Sequence, residues 1–447
     1  MPNCRDWRSQ KNGPSLPLSP DDVRMPGHAF SLGSIRLFLR LVLAGVSFRA
    51  ARRVLAMVAE VCGKAWKLPH WTTGRMWLLR LGHFQLHRSK KHAADWAWLI
   101  DHSVQIGPQK CLAIVGLRLG QMPAPGACLR HDDLQLIALE PMPSSTRQEV
   151  QERLEAAVKV TGVPRVIVDD HGVDLTGGVQ LFQQQHPQTV EVYDLKHKAA
   201  CLLKARLERE PRWRQFQTLI GQTRCAIQQT ELAFLVPPGP KPKARFMNLQ
   251  PMLDWAAHIL EILRAPPPAV STRVSQERLR QKLAWLEEFR KVLPEWREWQ
   301  QVVNAAVGHM GRQGIYRGVA RDLKRALPAK LVFASSRSLA DDIMKFVAHE
   351  SRKAHRGERF PASTEALESL FGRFKVLEKQ HAKGGFTSLI LGFGALLSQT
   401  ATTTIRQALS HSRTEAVGDW CRNQLGPTLL SQRKRAFQAV LCATKPG

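Results

Sequence analysis

Three acids occupy positions from which they could do chemistry. Asp101 lies in or at the end of the apolar run WAWLIDHSVQIG, Asp170 follows the run RVIVD, and Glu368 sits on a helix-patterned stretch nearly two hundred residues later. Taken singly, an acid at the end of an apolar strand does no more than cap a turn. Brought together, three carboxylates repel: at an effective dielectric of about 20, a pair ~4 Å apart costs on the order of 4 kcal/mol. A shared site therefore requires cations, and oxygen donors of this kind select Mg2+ or Mn2+. The chain shows no Ser/His/Asp or Cys/His set that would supply a protein nucleophile.

Neighbouring acids compete for these places. Alternation along RVIVDD puts Asp169 and Asp170 on opposite faces, so only one of them can be a ligand. Glu365 lies one turn before Glu368 on the same helix face. Asp174 reads as a helix-start acid. His102, His171 and His197 adjoin the acids and read as orienting or phosphate-contacting groups rather than ligands.

The elements that must position these residues follow from periodicity. WAWLIDHSVQIG, KCLAIVGLRLG and DLQLIALEPM are three runs of strand length separated by turn-rich segments. SSTRQEVQERLEAAVKVTG is an amphipathic helix with a capping-box start, Ser145 or Thr146 preceding Glu149. RVIVDDHG is a buried strand, residues 174–186 a helix, TVEVYDL a strand and HKAACLLKARLERE a helix. The order βββαβαβα predicts an α/β fold, a mixed sheet with helices on its faces. In a βββαβ layout the first and fourth strands are neighbours at the sheet centre, where their acids converge.

Residues 211–355 read as helical, with Pro-rich PPGPKPKAR at 237–245 and an interruption at 266–268. Their longest amphipathic piece, RVSQERLRQKLAWLEEFRKVL, carries Leu279, Leu283, Leu286 and Phe289 at i, i+4, i+7 and i+10. Trp213, Trp255, Trp285, Trp296 and Trp299 fall in the same region and, at helical spacing, read as core rather than as platforms for a flipped base. A basic loop, SRKAHRGER, then leads into the Glu368 helix, which is expected to stop at Gly384–Gly385.

Upstream, the Pro-bearing residues 1–31 suit a flexible arm. Residues 32–90 read as three short helices, with Ser47 as an N-cap and Gly63 as a stop. This segment has eleven Lys and Arg against one acid, Glu60. Three compact basic helices fit a helix-turn-helix whose last helix would turn Thr72, Thr73, Arg75 and Arg80 toward a major groove. The whole chain, 447 residues with 65 Lys+Arg and 37 Asp+Glu, carries a formal charge of +28, which argues for a polyanionic partner, nucleic acid first. A hydrophobic fraction of 44% excludes a wholly disordered chain. Eight cysteines without a C-x-x-C pair indicate neither a zinc ribbon nor a thioredoxin-like site. The most apolar stretches, near Leu37–Ala44 and Leu389–Leu397, are shorter than a membrane span of about 20 residues, so a soluble, cytoplasmic protein with no membrane partner is expected.

On these residues the chain resembles the DDE transposases of bacterial insertion sequences, which carry an RNase H-like catalytic domain. Asp170-His171-Gly172 resembles the turn that bears the family's second acid, and Tyr193 to Lys204, YDLKHKAACLLK, its fifth strand and following helix. Glu368 and Lys375 reproduce the family's E-x6-K spacing. The likeness covers about 96–210 and 355–400 and favours Asp170 over Asp169 and Glu368 over Glu365. It implies Asp101, Asp170 and Glu368 as catalytic ligands of paired Mg2+ or Mn2+ ions, which would activate a water for attack on a phosphodiester and stabilise the departing 3′ oxygen without a protein nucleophile, and Lys375 as a contact to element-end DNA. It also implies a helix-turn-helix at 32–90, an RNase H-like domain at 91–210 and 356–400, a helical insertion at 211–355 and a helical tail at 401–447. The expected activity is cleavage and strand transfer at the ends of a mobile element, by a homodimer on DNA associated with the bacterial nucleoid. A nuclease or resolvase, or a DNA-binding protein that has lost catalysis, are the alternatives.

Overall fold

The structure is a computed structural model and describes residues 23–24, 27–106, 109–142, 144–239, 246, 249–379, 387–427 and 429–443. Most of the expected arm, the PKPKAR stretch at 240–245 and the stop at Gly384–Gly385 lie outside the described residues.

In chain order the regular elements begin with α1 (Leu32–Leu43), α2 (Phe48–Val61) and α3 (Trp71–His87). Then come β1 (Trp96–Ile106), β2 (Gln109–Arg118), β3 (Gln135–Met142), α4 (Arg147–Thr161), β4 (Val166–Asp169), α5 (Val173–Gln185), β5 (Val190–Tyr193) and α6 (Leu195–Arg209). A helical stretch follows: α7 (Pro211–Ile227), α8 (Gln250–Arg264), α9 (Pro268–Ser271), α10 (Gln276–Leu283) and α11 (Leu293–Gln313). β6 (Ile315–Tyr316), α12 (Val319–Ala326), α13 (Ala334–Ser351), β7 (Arg359–Phe360) and α14 (Glu365–Glu378) come next. The chain closes with α15 (Gly392–Leu396), α16 (Thr402–His411), α17 (Thr414–Leu425) and α18 (Leu429–Ala443).

The fold is mixed α/β and mostly helical, with a five-stranded sheet in the order β3-β2-β1-β4-β5. β2 and β3 run antiparallel, from Lys110 opposite Met142 to Gly116 opposite Gln135, with an irregularity between Ile114 and Val115. β4 and β5 run parallel, Val166 opposite Val190 and Asp169 opposite Tyr193. The expected order βββαβαβα is the order observed through residue 209.

Contacts divide the chain into two compact units. The first comprises Met1–Leu117, Arg130–Val163 and Ala366–Gly447. Its central helix is α3, which packs against α1, α2, β3, α15, α16 and α17 and buries Trp77, Leu78, Leu79 and Leu81. Small residues set this packing: a Cβ on Gly82 would lie 1.7 Å from the Leu391 carbonyl oxygen, and one on Gly394 would lie 2.8 Å from that of Gly82. Ser47 caps α2 by accepting from the Ala50 amide, and Gly63 follows the helix at φ 57°, as the sequence predicts. Thr146 is the α4 cap, closing a capping box with Glu149.

The second unit comprises Arg118–Leu129 and Pro164–Glu365. α11 packs against α6, α8, α12 and α13. Trp213, Phe216, Phe289 and Trp296 form a fully buried aromatic cluster, with Trp213 and Trp296 centroids 5.1 Å apart and edge-on. Trp299 is buried and bonds Ser335, so Trp213, Trp296 and Trp299 are core; Trp285, against this cluster, and Trp255, whose indole donates to the Leu235 carbonyl, are half-buried. The amphipathic piece at 273–293 is not one helix. α10 ends at Leu283 and the chain tightens to a 3-10 helix over Ala284–Phe289, yet Leu279, Leu283, Leu286 and Phe289 are all buried. The short β6–β7 pair sets Ile315 opposite Phe360; β6 interrupts the helical reading of 211–355, and β7 falls where a basic loop was expected.

Candidate functional site

β4 and β5 end side by side in the second unit, and acids gather where parallel strands end, the place at which open α/β sheets bind ligands. Val166, Ile167 and Val168 are fully buried and carry the strand into the core, so the chain leaves it at Asp169, itself 0% exposed. Two interlocked turns follow. Asp169 Oδ1 accepts from the His171 amide at 3.0 Å, and Asp170 Oδ1 accepts from the Gly172 amide at 2.9 Å. Together they hold His171 at φ 60°, a left-handed conformation that costs a side chain with a Cβ on the order of 1–2 kcal/mol. The His171 ring stacks on Tyr193 at 4.0 Å, with 10° between planes.

That stacking carries the imidazole to Glu191, which projects from β5. His171 Nε2 lies 3.3 Å from Glu191 Oε1. The pair lacks hydrogen-bond alignment, so among the described residues Glu191 Oε1 and Asp169 Oδ2 are buried with no donor other than a proton shared between the two carboxyls. Burial, and then the charge of Glu191, push the Asp169 carboxyl above its ordinary range. Burial pushes Glu191 up as well, although the Lys353 ammonium draws it down. Burial holds the His171 imidazole below its ordinary value, hence neutral near pH 7. Asp169, His171 and Glu191 offer one ligand atom each, all within 4.8 Å of one another, a grouping that could hold a metal ion.

Surrounding charges are paired. Glu350, buried on α13, accepts from the Tyr193 amide and from Lys353 Nζ, and the same ammonium donates to the Glu191 carbonyl oxygen. Arg165, at the start of β4, forms a two-pronged pair with Glu358, 2.8 Å on each arm, and lies over the Phe360 ring.

Asp194, one residue past β5, is fully buried and caps α6 through the His197 amide at 3.0 Å. Its other oxygen accepts from the Thr364 amide at 2.6 Å and from the Thr364 hydroxyl at 2.7 Å. Burial alone would raise this carboxyl, but hydrogen bonds from His197 and Thr364 outweigh it and hold Asp194 below the usual range.

The residues singled out from the sequence are distributed between the units. Asp170 belongs to the turn just described. In the first unit, Asp101 lies on β1 next to fully buried Ile100, and its Oδ1 accepts from the His102 amide at 2.6 Å. His102 is paired with Ser145, Nε2 to Oγ 3.0 Å. Glu368 and Lys375 lie on α14, with Glu368 half-buried and Lys375 exposed. Seven residues span nearly two turns, so the two share a face.

Of the four α3 residues expected to face DNA, Thr72 is exposed and Thr73 half-buried. Arg75 donates to the Ser388 hydroxyl at 2.6 Å, and Arg80 to the Ser412 and Leu409 carbonyl oxygens, so both guanidinium groups are engaged inside the unit. The exposed cations of this region lie elsewhere: Arg40 on α1, Arg49, Arg52 and Arg53 on α2, and Lys64 and Lys67 in the loop before α3. Arg49 also lies over the Trp71 ring at 5.4 Å.

Asp194 and Glu191 were missed by sequence reasoning. The available signal was an acid one residue beyond a parallel strand, and a charge inside the short strand VEVY. No helix among the described residues is long and apolar enough to cross a membrane. Neither a scan against models of protein families nor a search of curated proteins gives a match to this chain.

Proposed function

We propose that this chain is a DDE-type transposase, a metal-dependent enzyme that cuts and joins DNA at the ends of its own mobile element, on an RNase H-like domain. The observation that carries the reading is the placement of the acids on the element order βββαβαβα: Asp101 on the first strand, Asp170 in the turn after the fourth, and Glu368 with Lys375 on one face of α14. The strand order β3-β2-β1-β4-β5, with the Asp101 strand at the centre, supports it. Asp101, Asp170 and Glu368 would hold the Mg2+ or Mn2+ ions, which supply an activated water and neutralise the leaving oxygen. Asp170 is held for such a role by its bond to the Gly172 amide, which occupies one oxygen and leaves the other for a ligand. Lys375 would contact the phosphates of the element end.

The net charge of +28 supports DNA as partner. With Arg75 and Arg80 engaged internally, we assign the phosphate contacts of the basic helices to Arg49, Arg52 and Arg53 on α2, together with exposed Thr72 at the start of α3. Action as a homodimer pairing two ends belongs to the same reading.

The test is nicking of DNA that carries the element's termini, in Mg2+ or Mn2+. Cleavage by the unmodified protein that falls at least a hundredfold in Asp101→Asn and Glu368→Gln, with DNA binding retained, is the expected result. Strand transfer from a pre-cut 3′-OH end separates a transposase from a nuclease. No metal-dependent cleavage at all would leave a DNA-binding protein and overturn the enzymatic reading.

A further inference from the structure

We propose that Asp169, His171 and Glu191 form a binding site for a single transition-metal ion, Zn2+ by preference, separate from the ions of the DNA-cutting reaction. The first ground is the pair of orphaned acceptors. Asp169 is 0% exposed, and its Oδ2 and the buried Glu191 Oε1 meet no hydrogen-bond donor among the described residues other than a proton held between the two carboxyls. Leaving such acceptors to share one proton in the interior is unfavourable, so a cation that both can bind is the natural complement.

The second ground is the geometry of the imidazole. His171 Nε2 and Glu191 Oε1 are 3.3 Å apart without hydrogen-bond alignment. Two donors each 2.0–2.1 Å from a tetrahedral ion are separated by about 3.3 Å, so this spacing is what ligation requires. The backbone meets the cost of a left-handed His171, and the ring is fixed by stacking flat on Tyr193, with the amide tied to Asp169. A residue placed only to fill space would need none of these restraints.

Donor chemistry selects the ion. One nitrogen and two carboxylate oxygens suit Zn2+, Co2+ or Mn2+ better than Mg2+, which prefers an all-oxygen shell and retained water. The His171 side chain is 35% exposed, which gives an entry path, whereas that of Glu191 is 13% exposed. Bound there, the ion would brace the 169–172 turn and so fix the backbone that carries Asp170. It would occupy the side of the turn that Asp169 faces.

The inference does not depend on the transposase reading, and its test keeps the two apart. Full-length protein stripped with chelator is titrated with Co2+, whose visible absorption reports nitrogen and oxygen ligation, first in an Asp170→Asn background that removes the proposed catalytic ligand. One Co2+ bound per chain, displaced by Zn2+ and accompanied by proton release, is the expected result. Adding His171→Asn, which tolerates the left-handed backbone, or Glu191→Gln should each weaken the affinity at least tenfold while the metal-free melting temperature stays within a few degrees. Absence of the Co2+ absorption in the Asp170→Asn protein overturns the proposal. So does affinity unchanged by both ligand substitutions.

Discussion

Asp194 shows how much one side chain can hold in this chain. It has no exposure, and its two oxygens accept from three donors on two segments, the His197 amide at the start of α6 and the amide and hydroxyl of Thr364. Replacing it by Ala removes a helix cap and strands the Thr364 donors in the core, and the two losses together amount to about 2–4 kcal/mol. We expect Asp194→Ala to lower the unfolding free energy obtained from urea denaturation by that amount, and Asp194→Asn, which keeps an acceptor, to cost less. Because the folded carboxyl is held below its ordinary range, its contribution is present above the unfolded value near pH 4 and is lost as pH falls through the folded one. An acid-unfolding curve of Asp194→Asn should therefore be flatter below pH 4 than that of the unmodified protein. Arg165 poses a related test. Lysine cannot reproduce its two-pronged bond to Glu358, so Arg165→Lys should destabilise by about 1–2 kcal/mol, read as a shift in melting temperature.

At the scale of elements, α3 explains what was legible in the sequence and what was not. Its existence followed from periodicity, although it starts at Trp71 behind His70 rather than at the Thr72 or Thr73 that follow Pro69 in the sequence reading, and α2 followed from Ser47 and Gly63, because caps and stops are local chemistry. Its surroundings did not follow. The partners of α3, Leu391, Leu409 and Ser412, lie more than three hundred residues away, so nothing near Arg75 or Arg80 announces that their guanidinium groups turn inward. Strand alternation likewise separated Asp169 from Asp170 without telling which face would meet Glu191. The i, i+4, i+7, i+10 spacing fixed which side chains of 279–289 are buried, but an α-helix and a 3-10 helix bury nearly the same set over so few turns.

α3 offers two measurements, at Gly82 and at His83, and Gly63 beyond the end of α2 gives a comparison for the first. Gly82→Ala would drive a methyl into the Leu391 carbonyl, backbone that cannot swing away, and should cost more than about 2 kcal/mol. Gly63→Ala, where nothing lies within 4 Å but φ is positive, should cost only about 1 kcal/mol. His83 stacks on His87 and reaches the Ser412 hydroxyl, and burial, with help from His87, lowers its value to about 4. Between that value and the ordinary 6.5 the unfolded chain takes up a proton that the folded one refuses, so stability falls as pH drops from 6.5 toward 4. Allowing for its partial exposure, the loss is about 1 kcal/mol, and His83→Gln should remove it from unfolding curves recorded at pH 7 and pH 5.

At the scale of the whole molecule, charge decides more than any single contact. A surplus of +28 makes association with DNA favourable through counterion release wherever cations meet phosphate, so affinity alone cannot identify the binding surface. Salt dependence can. On B-DNA each neutralised phosphate contributes about 0.9 to the slope of log K against log salt. Arg49, Arg52 and Arg53 are exposed on α2, whereas Arg75 and Arg80 are hydrogen-bonded within their unit. Changing the α2 arginines together to Gln should therefore flatten the slope by about 2–3 and weaken binding equally across DNA sequences. Arg75→Gln should leave the slope unchanged while lowering the melting temperature, because its work is to hold Ser388. The reverse pattern, a flatter slope from Arg75→Gln and none from the α2 substitutions, would return the DNA contact to α3 and require the internal bonds of that helix to open on binding.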